Sequence, residues 1–578
     1  MTNISKEKRK EFLLLLESLK AETNDEQNLI IINELENFIA DKKYGLVWEE
    51  HLEEVDKELE HRIPVFQDKS DTSIGDMTSE KINFLLEGDN LHSLYLLMKT
   101  HKESVDIIYI DPPYNTGNKD FKYNDSYVEK DDGFKHSKWL SFMNNRLKIA
   151  RDLLRDDGFI AISIDENEYS PLKMLCDEIY GEDNHLSTHF IQVRYKTKSL
   201  NERNDWQPIM EYVLFYAKNT KGFKANRPFD EYDVDSKFVY EINEKSEGEK
   251  VNFGGREVKI FKADEWEMVK HDKGHIDLLK ETWASGSVIT GNASGKYFDT
   301  YLSGRTNIDG TNALYKVEGI GEDGLGYRYF CGPKSKTGKR GRFYSGIPTV
   351  RRQAIESEGG SKKYKPIVNF YDYSAEIGNI RHEGGVPFNN GKKPIKLLKQ
   401  IINYHQKKDA IILDFFAGSG STAHAVLDLN KDDEGSRTFI IGTNNENNIC
   451  YDVTLRRLNN IYREYDFSMK HFITSSIDRQ ENEDSYISHS LINHVKELAE
   501  LEYQIDFNQS SYELILDDEE KDNLINEIEY NKNISKVFKP SYILFTTMEI
   551  NLLEERGISI VTIPEYYYSK ELREVGEL

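Results

Sequence analysis

"VDIIYIDPPY" spans residues 105–114. Its first six residues are apolar on both alternating faces except at Asp106, the pattern of a strand buried inside a parallel sheet. The run then stops at an acid, two prolines and a tyrosine. Pro113 fixes its own φ and keeps Pro112 extended, and neither carries an N–H. The result is a stiff corner at a strand end. The Asp111 carboxylate and the Pro112 carbonyl can converge on one NH₂ group there, and Tyr114 offers a stacking face. Such a set suits a planar aromatic amine, as in a base withdrawn from a nucleic-acid stack. For "DPP" standing by itself, a corner that merely caps a strand is the plainer reading.

Working outward, the texture around this corner is α/β. "INFLLEGD" (82–89) and "FIAISID" (159–165) are further apolar runs that end in an acid. "SKWLSFMNNRLKIARDLLRDDG" (137–158) reads as an amphipathic helix closed by Gly158, and "PLKMLCDEIYG" (171–181) as another helix. Open α/β sheets bind ligands outside the carboxyl ends of their strands, which is where these acids fall. The rhythm is lost from about 190 to 385 and returns at "KKPIKLLKQIINYH", "AIILDFF" (410–416) and "TFIIGTNNE" (438–446). Neither α/β piece has enough strands for a covered sheet, so one sheet built from two chain segments is expected.

The second segment carries "LDFFAGSGSTAHAV" (413–426). Gly418 and Gly420 permit a sharp turn and close approach of a ligand. The helix that follows aims its free N–H groups and positive dipole end at that ligand. Asp414 could hold a cationic group, and Glu446, after the next strand, is placed for ribose hydroxyls. Strand, glycine turn, helix, strand and acid together suggest an adenosine-containing cofactor. The turn is neither a full dinucleotide fingerprint nor a P-loop, and "GPKSKTGKR" (332–340) also fails the P-loop spacing. An ordinary strand-to-helix turn is the alternative.

Composition bounds the rest. A chain of 578 residues suggests about three to five units. It has no run of about 20 apolar residues to span a membrane, and its first residues lack a signal-peptide core. Cys176, Cys331 and Cys450 are too scattered for a disulfide framework or a zinc site, in keeping with the cytoplasm. The net charge of −25 argues against a nucleic-acid partner, but residues 334–365 hold ten Lys and Arg against two Glu. That local basic stretch is the quantity that matters for DNA. Residues 1–65 read as helical, and the last segment, 466–578, as acidic, with "PSYILFTTMEI" and "GISIVTIPEYYYS" expected as strands.

"DPPYNTG" (111–117) followed far downstream by "DFFAGSGST" (414–422) resembles the β-class of amino-group DNA methyltransferases. In that class the catalytic motif precedes the cofactor motif and a target recognition domain lies between them. "LLEGDNLHSL" (85–94), "DDGFIAISIDENE" (156–168), "MEYVLFYAKN" (210–219) and "KKPIKLL" (392–398) fit the class in order. The motif, the size and the appended ends resemble the modification subunit of Type III restriction–modification systems. Around Glu446, "GTNNENNICYD" departs from the family's more apolar, proline-containing version.

The resemblance implies an α/β, Rossmann-like S-adenosylmethionine-dependent methyltransferase sheet in two chain segments, with helical or α+β terminal regions. The expected division is a helical region at 1–65, a catalytic half at 66–195, a target recognition domain at 196–385, a cofactor half at 386–465 and an acidic accessory domain at 466–578. Asp111, Pro112, Pro113 and Tyr114 would act on N6 of a flipped adenine. Asp89, Asn115, Thr116, Lys393, Asp414, Phe415, Ala417, Gly418, Ser419, Gly420, Thr422 and Glu446 would hold S-adenosylmethionine. No metal is required. Arg305, Lys339, Arg340, Arg342, Arg351 and Arg352, with Asn204, are candidates for contacts to double-stranded DNA, with solvated surface the alternative for each. The resemblance also implies a homodimer and a separate helicase–nuclease restriction subunit.

Cytosine-C5 chemistry is disfavoured because none of the three cysteines follows a proline. Cytosine-N4 transfer, a stand-alone DNA methyltransferase, an enzyme acting on RNA or a protein amide, and a catalytically silent specificity subunit stay open at this point.

Overall fold

The computed structural model describes residues 14–16, 18–20, 32, 48–79, 81–116, 133–197, 205–284, 293–338, 340–387, 392–479, 487–508, 511–528, 534–563 and 567–574. Most of the expected N-terminal helical region therefore lies outside the described residues, as do Asn204 and Lys339.

One ten-stranded sheet organises the larger of two compact units. Its strands are β1 (Arg62–Asp68), β2 (Asn83–Glu87), β3 (Val105–Ile110), β4 (Leu154–Ile164), β5 (His185–Gln192), β6 (Met210–Ala217), β7 (Phe370–Asp372), β8 (Ile411–Asp414), β9 (Thr438–Thr443) and β10 (Met469–Asp478). They lie in the order β1-β10-β2-β9-β8-β3-β4-β6-β5-β7. The central run from β10 to β4 is parallel, while β6 runs antiparallel to both β4 and β5. β8, from the second chain segment, is hydrogen-bonded between β9 and β3, so the sheet is closed by strands from both segments. Ile108 and Ile110 of β3 join the main apolar core, and the alternate residues Ile107 and Tyr109 are equally buried on the opposite face. Both faces of the sheet are thus covered, as continuous apolar strands require. Each fully buried aliphatic side chain contributes about 1.5–3 kcal/mol.

The helices used below are α1 (Glu54–His61), α2 (Asn90–Thr100), α3 (Lys135–Leu153), α4 (Tyr169–Tyr180), α5 (Ile395–Ile402), α6 (Ser421–Asp433) and α7 (Arg456–Tyr465). Leu94 and Leu97 of α2, Leu147 of α3 and Leu172 of α4 pack into the same core as the strands. No described helix is long and apolar enough to cross a membrane.

Several boundaries differ from expectation. α3 ends at Leu153 and β4 starts at Leu154, so Gly158 caps nothing. It sits in an irregular stretch of β4 opposite Asp106, where a Cβ would lie 2.8 Å from the Asp106 carbonyl oxygen. The insertion is shorter than 196–385. The second compact unit runs from Arg227 to Ile367, because β6 and β7 pair into the main sheet on either side of it. It holds a six-stranded antiparallel sheet over Val258, Phe298, Phe330 and Phe343. Its two ends are paired to each other, Phe229–Glu231 against Lys362–Tyr364.

The C-terminal region is not separate from the core either. β10 is a strand of the main sheet, and Leu498 and Leu501 pack into its core. "PSYILFTTMEI" is not a strand: Thr546 caps a helix over Thr547–Glu555 in a reciprocal capping box with Glu549. The neighbouring strands are Lys536–Lys539 and Ser559–Thr562.

Candidate active site

β8 lies at the switch point of the sheet: the chain leaves it for β9 on one side, and β3 leads to β4 on the other. The crevice at the carboxyl ends of β8 and β3 is where such sheets place their ligands. Asp414 ends β8, and Asp111 follows the last residue of β3.

The proline corner is fixed from below. Trp139 of α3 donates its indole N–H to the Pro113 carbonyl at 2.8 Å. Asn115 adopts left-handed backbone, φ +58°, and donates to the fully buried Glu168 carboxylate at 2.6 Å. Asn115 is thus clamped to the N-terminal end of α4. Thr116, next in the chain, is partly exposed.

Above the corner lies a compact polar cluster. The Tyr114 hydroxyl donates to Asp111 Oδ1 at 2.8 Å, and its oxygen lies 3.2 Å from Glu211 Oε2. Lys393 Nζ donates to the Tyr114 oxygen at 2.6 Å and to Glu211 Oε2 at 2.9 Å, and lies 3.2 Å from Asp111 Oδ1. It also sits 4.9 Å from the centre of the Tyr114 ring. Burial pushes the Asp111 carboxyl above its ordinary value, against the pull of Lys393. Burial and the two carboxylates push the Tyr114 hydroxyl far up, so it stays a neutral donor. Although burial opposes its charge, Asp111 and Glu211 hold the Lys393 ammonium above its ordinary value. Lys393, expected on the cofactor, lies among the groups of the corner. Glu211 and Trp139 were not foreseen, since nothing in the spacing marks them.

The glycine turn forms the other half. Gly418 and Gly420 have φ of +49° and +72°. Ala417 donates its N–H to the Gly442 carbonyl at 3.0 Å, tying the turn to β9. α6 starts from Gly420 without a side-chain cap. Asp414 accepts Thr422 Oγ1 at 2.5 Å and the Phe416 N–H at 3.0 Å, and burial pushes its carboxyl up to about 7. Phe415, Ala417, Ser419 and Thr422 are all buried in or under the turn. Arg457 of α7, completely buried, supports it from behind by donating to the Ser419 carbonyl (3.3 Å) and to the Ser419 and Ser421 hydroxyls. Asp89 caps α2 through the Leu91 N–H at 2.7 Å, and the adjacent Asn90 donates to the Phe415 carbonyl at 3.1 Å. This bond brings Asp89 to the turn. Glu446 is exposed in the short turn after β9, and the nearby Asn444 Oδ1 is buried without a partner among the described residues.

Alanine at Gly420 would have to keep φ near +72° with its Cβ 3.3 Å from Thr454 Cγ2. Gly420→Ala is therefore expected to lower stability by about 1–2 kcal/mol, read as a shift in urea midpoint.

The site residues expected on one face thus form two adjoining groups, Asp111–Tyr114–Lys393 and Asp414–Thr422 with Asp89. The family profile for N6/N4 DNA methylases matches residues 105–455, which include both groups apart from Asp89. This chain belongs to the DNA methylase family. Among its relatives, the Type III restriction-modification enzyme StyLTI Mod subunit of Salmonella typhimurium is 32% identical to this methylase over 392 residues. That match covers 62% of the present chain and 52% of the relative. The EcoPI Mod subunit of Escherichia phage P1 is 32% identical over 405 residues, covering 62% and 57%. The Type II methyltransferase M.KpnI of Klebsiella pneumoniae is 30% identical over 418 residues, covering 68% of this methylase and 91% of the relative. The methylase spans little more than half the length of the two Mod subunits.

The basic residues expected at DNA lie in the inserted unit, and most are engaged within it. Arg305 pairs with Asp309 at 2.6 Å and lies over the Phe253 ring. Arg352 pairs with Glu356 at 3.0 Å and with Asp277. Arg351 donates to the Lys362 carbonyl at 3.2 Å and stacks over Tyr232. Arg342 is buried, with its guanidinium on Glu281 at 3.0 Å. The strand Gly341–Ser345 is buried at four successive positions, on both faces, so Arg342 is enclosed there, which corrects its expected place at DNA. Arg340 is exposed.

Among the described residues three groups bring metal-ligating side chains together, and each holds protein donors. Asp68, Glu500 and Asp506 surround Lys470. Asp106 meets Lys407 at 2.8 Å and Arg155 at 3.3 Å. Glu87 accepts from Tyr451 at 3.0 Å and pairs with His471 at 3.1 Å beside Cys450.

Proposed function

We propose that this methylase transfers the methyl group of S-adenosylmethionine to N6 of an adenine flipped out of double-stranded DNA, as the modification subunit of a restriction–modification system. The observation that carries the reading is the pair of acidic strand ends: Asp111 above a stacking tyrosine, beside Asp414 under an uncapped glycine turn.

The crevice fits the cofactor. Asp414, Asp89 and Glu446 supply carboxylates for its cationic and hydroxyl groups, the amides that start α6 face the turn, and Asn444 Oδ1 is a buried acceptor awaiting a donor. Bound there, S-adenosylmethionine supplies an electrophilic methyl group. The chain's own part is to make a poor nucleophile competent. Asp111 and the Pro112 carbonyl accept the two hydrogens of the amine, which turns its lone pair out of conjugation with the ring. Tyr114 stacks on the base, and the corner fixed by Trp139 keeps these groups from moving. The nitrogen gains a carbon and gives up one proton towards its acceptor at Asp111. The gain comes from position and electrostatics.

Arg340 and the basic stretch around it in the inserted unit would meet the DNA backbone. By analogy with the Mod subunits, a second copy of this chain and a separate restriction subunit are the proposed partners, acting in the cytoplasm. The test is transfer of labelled methyl from S-adenosylmethionine to unmodified DNA, followed by sequencing that distinguishes N6-methyladenine from N4-methylcytosine. Methylated adenine in one short motif is the expected result. Methylcytosine would overturn the base assignment, and no incorporation into any DNA would overturn the activity.

A further inference from the structure

Without a base, the acceptor meant for the target amine already has a partner. Lys393 Nζ lies 3.2 Å from Asp111 Oδ1 and 4.9 Å from the centre of the Tyr114 ring, donating to Tyr114 and Glu211. It therefore meets both groups proposed to receive the adenine, the carboxylate and the stacking face. We infer that the Lys393 ammonium stands in for the target amine in the base-free enzyme, and that Glu211 is the positioning residue that takes Lys393 when the base enters. The inference rests on the proposed transfer to a flipped base.

The argument is one of charge. An ammonium this enclosed, 11% exposed, cannot leave one carboxylate without keeping another. Glu211 Oε2, at 2.9 Å, already holds a second bond to it, so Lys393 can swing off Asp111 without being stranded. The cluster has two carboxylates and one ammonium. When a neutral amine arrives, Lys393 stays neutralised by Glu211, and Asp111 is left as a free anion for the incoming N–H bonds. Lys393 pulls the Asp111 carboxyl down against burial and the repulsion from Glu211, which together still leave it above its ordinary value. The other ionisable groups facing it are Tyr114, Tyr109 (hydrogen-bonded to Ser163 at 2.9 Å) and Asp414. The stand-in thus both guards the acceptor and favours its ionised form until the base replaces it.

Two variants of the full chain test this against a cofactor-binding role for Lys393. For Glu211→Gln, the fluorescence of a DNA site carrying 2-aminopurine at the target position should report at least about tenfold weaker flipping. Affinity for S-adenosylmethionine should be that of the wild type. For Lys393→Met, the acid limb of the kcat/KM–pH profile, which reports the base-free enzyme, should move up by about one pH unit or more, since Asp111 loses its counter-ion. Lys393→Arg should return the limb towards its original place. Weaker cofactor binding by Lys393→Met with an unmoved acid limb would overturn the inference, as would unaltered 2-aminopurine flipping in Glu211→Gln. Failure of the underlying reading shows itself separately, as wild-type protein that binds cofactor but transfers no methyl to DNA.

Discussion

Asp111→Ala is expected to lower kcat by about 10²–10³-fold while leaving S-adenosylmethionine affinity intact, the loss usual for one preorganised electrostatic group. The fold should survive because the corner does not hang on this carboxylate. β3 keeps its pairing with β4 and β8, the Trp139 indole keeps the Pro113 carbonyl, and Lys393 keeps Glu211 at 2.9 Å. What disappears is the carboxyl group proposed to accept from the amine. Single-turnover transfer to a short duplex, with calorimetry for the cofactor, separates the two effects. Transfer within about tenfold of wild type would remove Asp111 from the chemistry.

The largest loss of stability is expected far from the crevice, at Lys470→Met. Lys470 is 2% exposed in β10, with Glu500 at 2.6 Å, Asp506 at 2.8 Å and Asp68 at 3.0 Å. These acids come from the helix Val495–Tyr503, the segment after it, and β1. Removing the ammonium strands buried carboxylates, which costs about 3–5 kcal/mol. Burial pushes the Glu500 carboxyl up to about 7. A carboxyl raised on folding binds its proton more tightly in the folded state, so its contribution to stability is complete below about pH 4.3 and is lost as pH rises towards 7. The deficit of Lys470→Met should accordingly be greater at pH 8 than at pH 5, and Glu500→Gln added to it should recover part of the loss. Urea unfolding at the two pH values measures both; equal deficits would show that Lys470 does not carry these charges.

Much of the centre of the sheet was legible because its strands are apolar on both faces and end in acids. β3, the glycine turn and the need for two chain segments follow from that pattern. The margins were not. β10, "MKHFITSSID", mixes Lys470 and His471 into its buried half, so its place beside β2 depends on partners far along the chain. "PSYILFTTMEI" reads as strand by composition, yet Thr546 and Glu549 spell a capping box that decides for helix. In the site, the corner and the turn were legible as local motifs. Lys393 was noticed without its tie to the corner, since 279 residues separate it from the Tyr114 hydroxyl it meets. Glu211 lies at the start of a strand, where an acid carries no local signature. Arg342 shows the converse: a basic residue in a basic stretch, held on Glu281 in a strand covered on both faces.

The pairing of Phe229–Glu231 with Lys362–Tyr364 bears on how such a chain changes over generations. The inserted unit is tied off at its base by its own backbone, so the cost of closing its loop is met inside the insert and not by the sheet. Its apolar core is its own, and β6 ends before it begins while β7 starts after it ends. A different unit with the same short neck can then be exchanged for this one by recombination at the two flanks. The proposed DNA contacts would change with it, while the sheet and the crevice keep their residues.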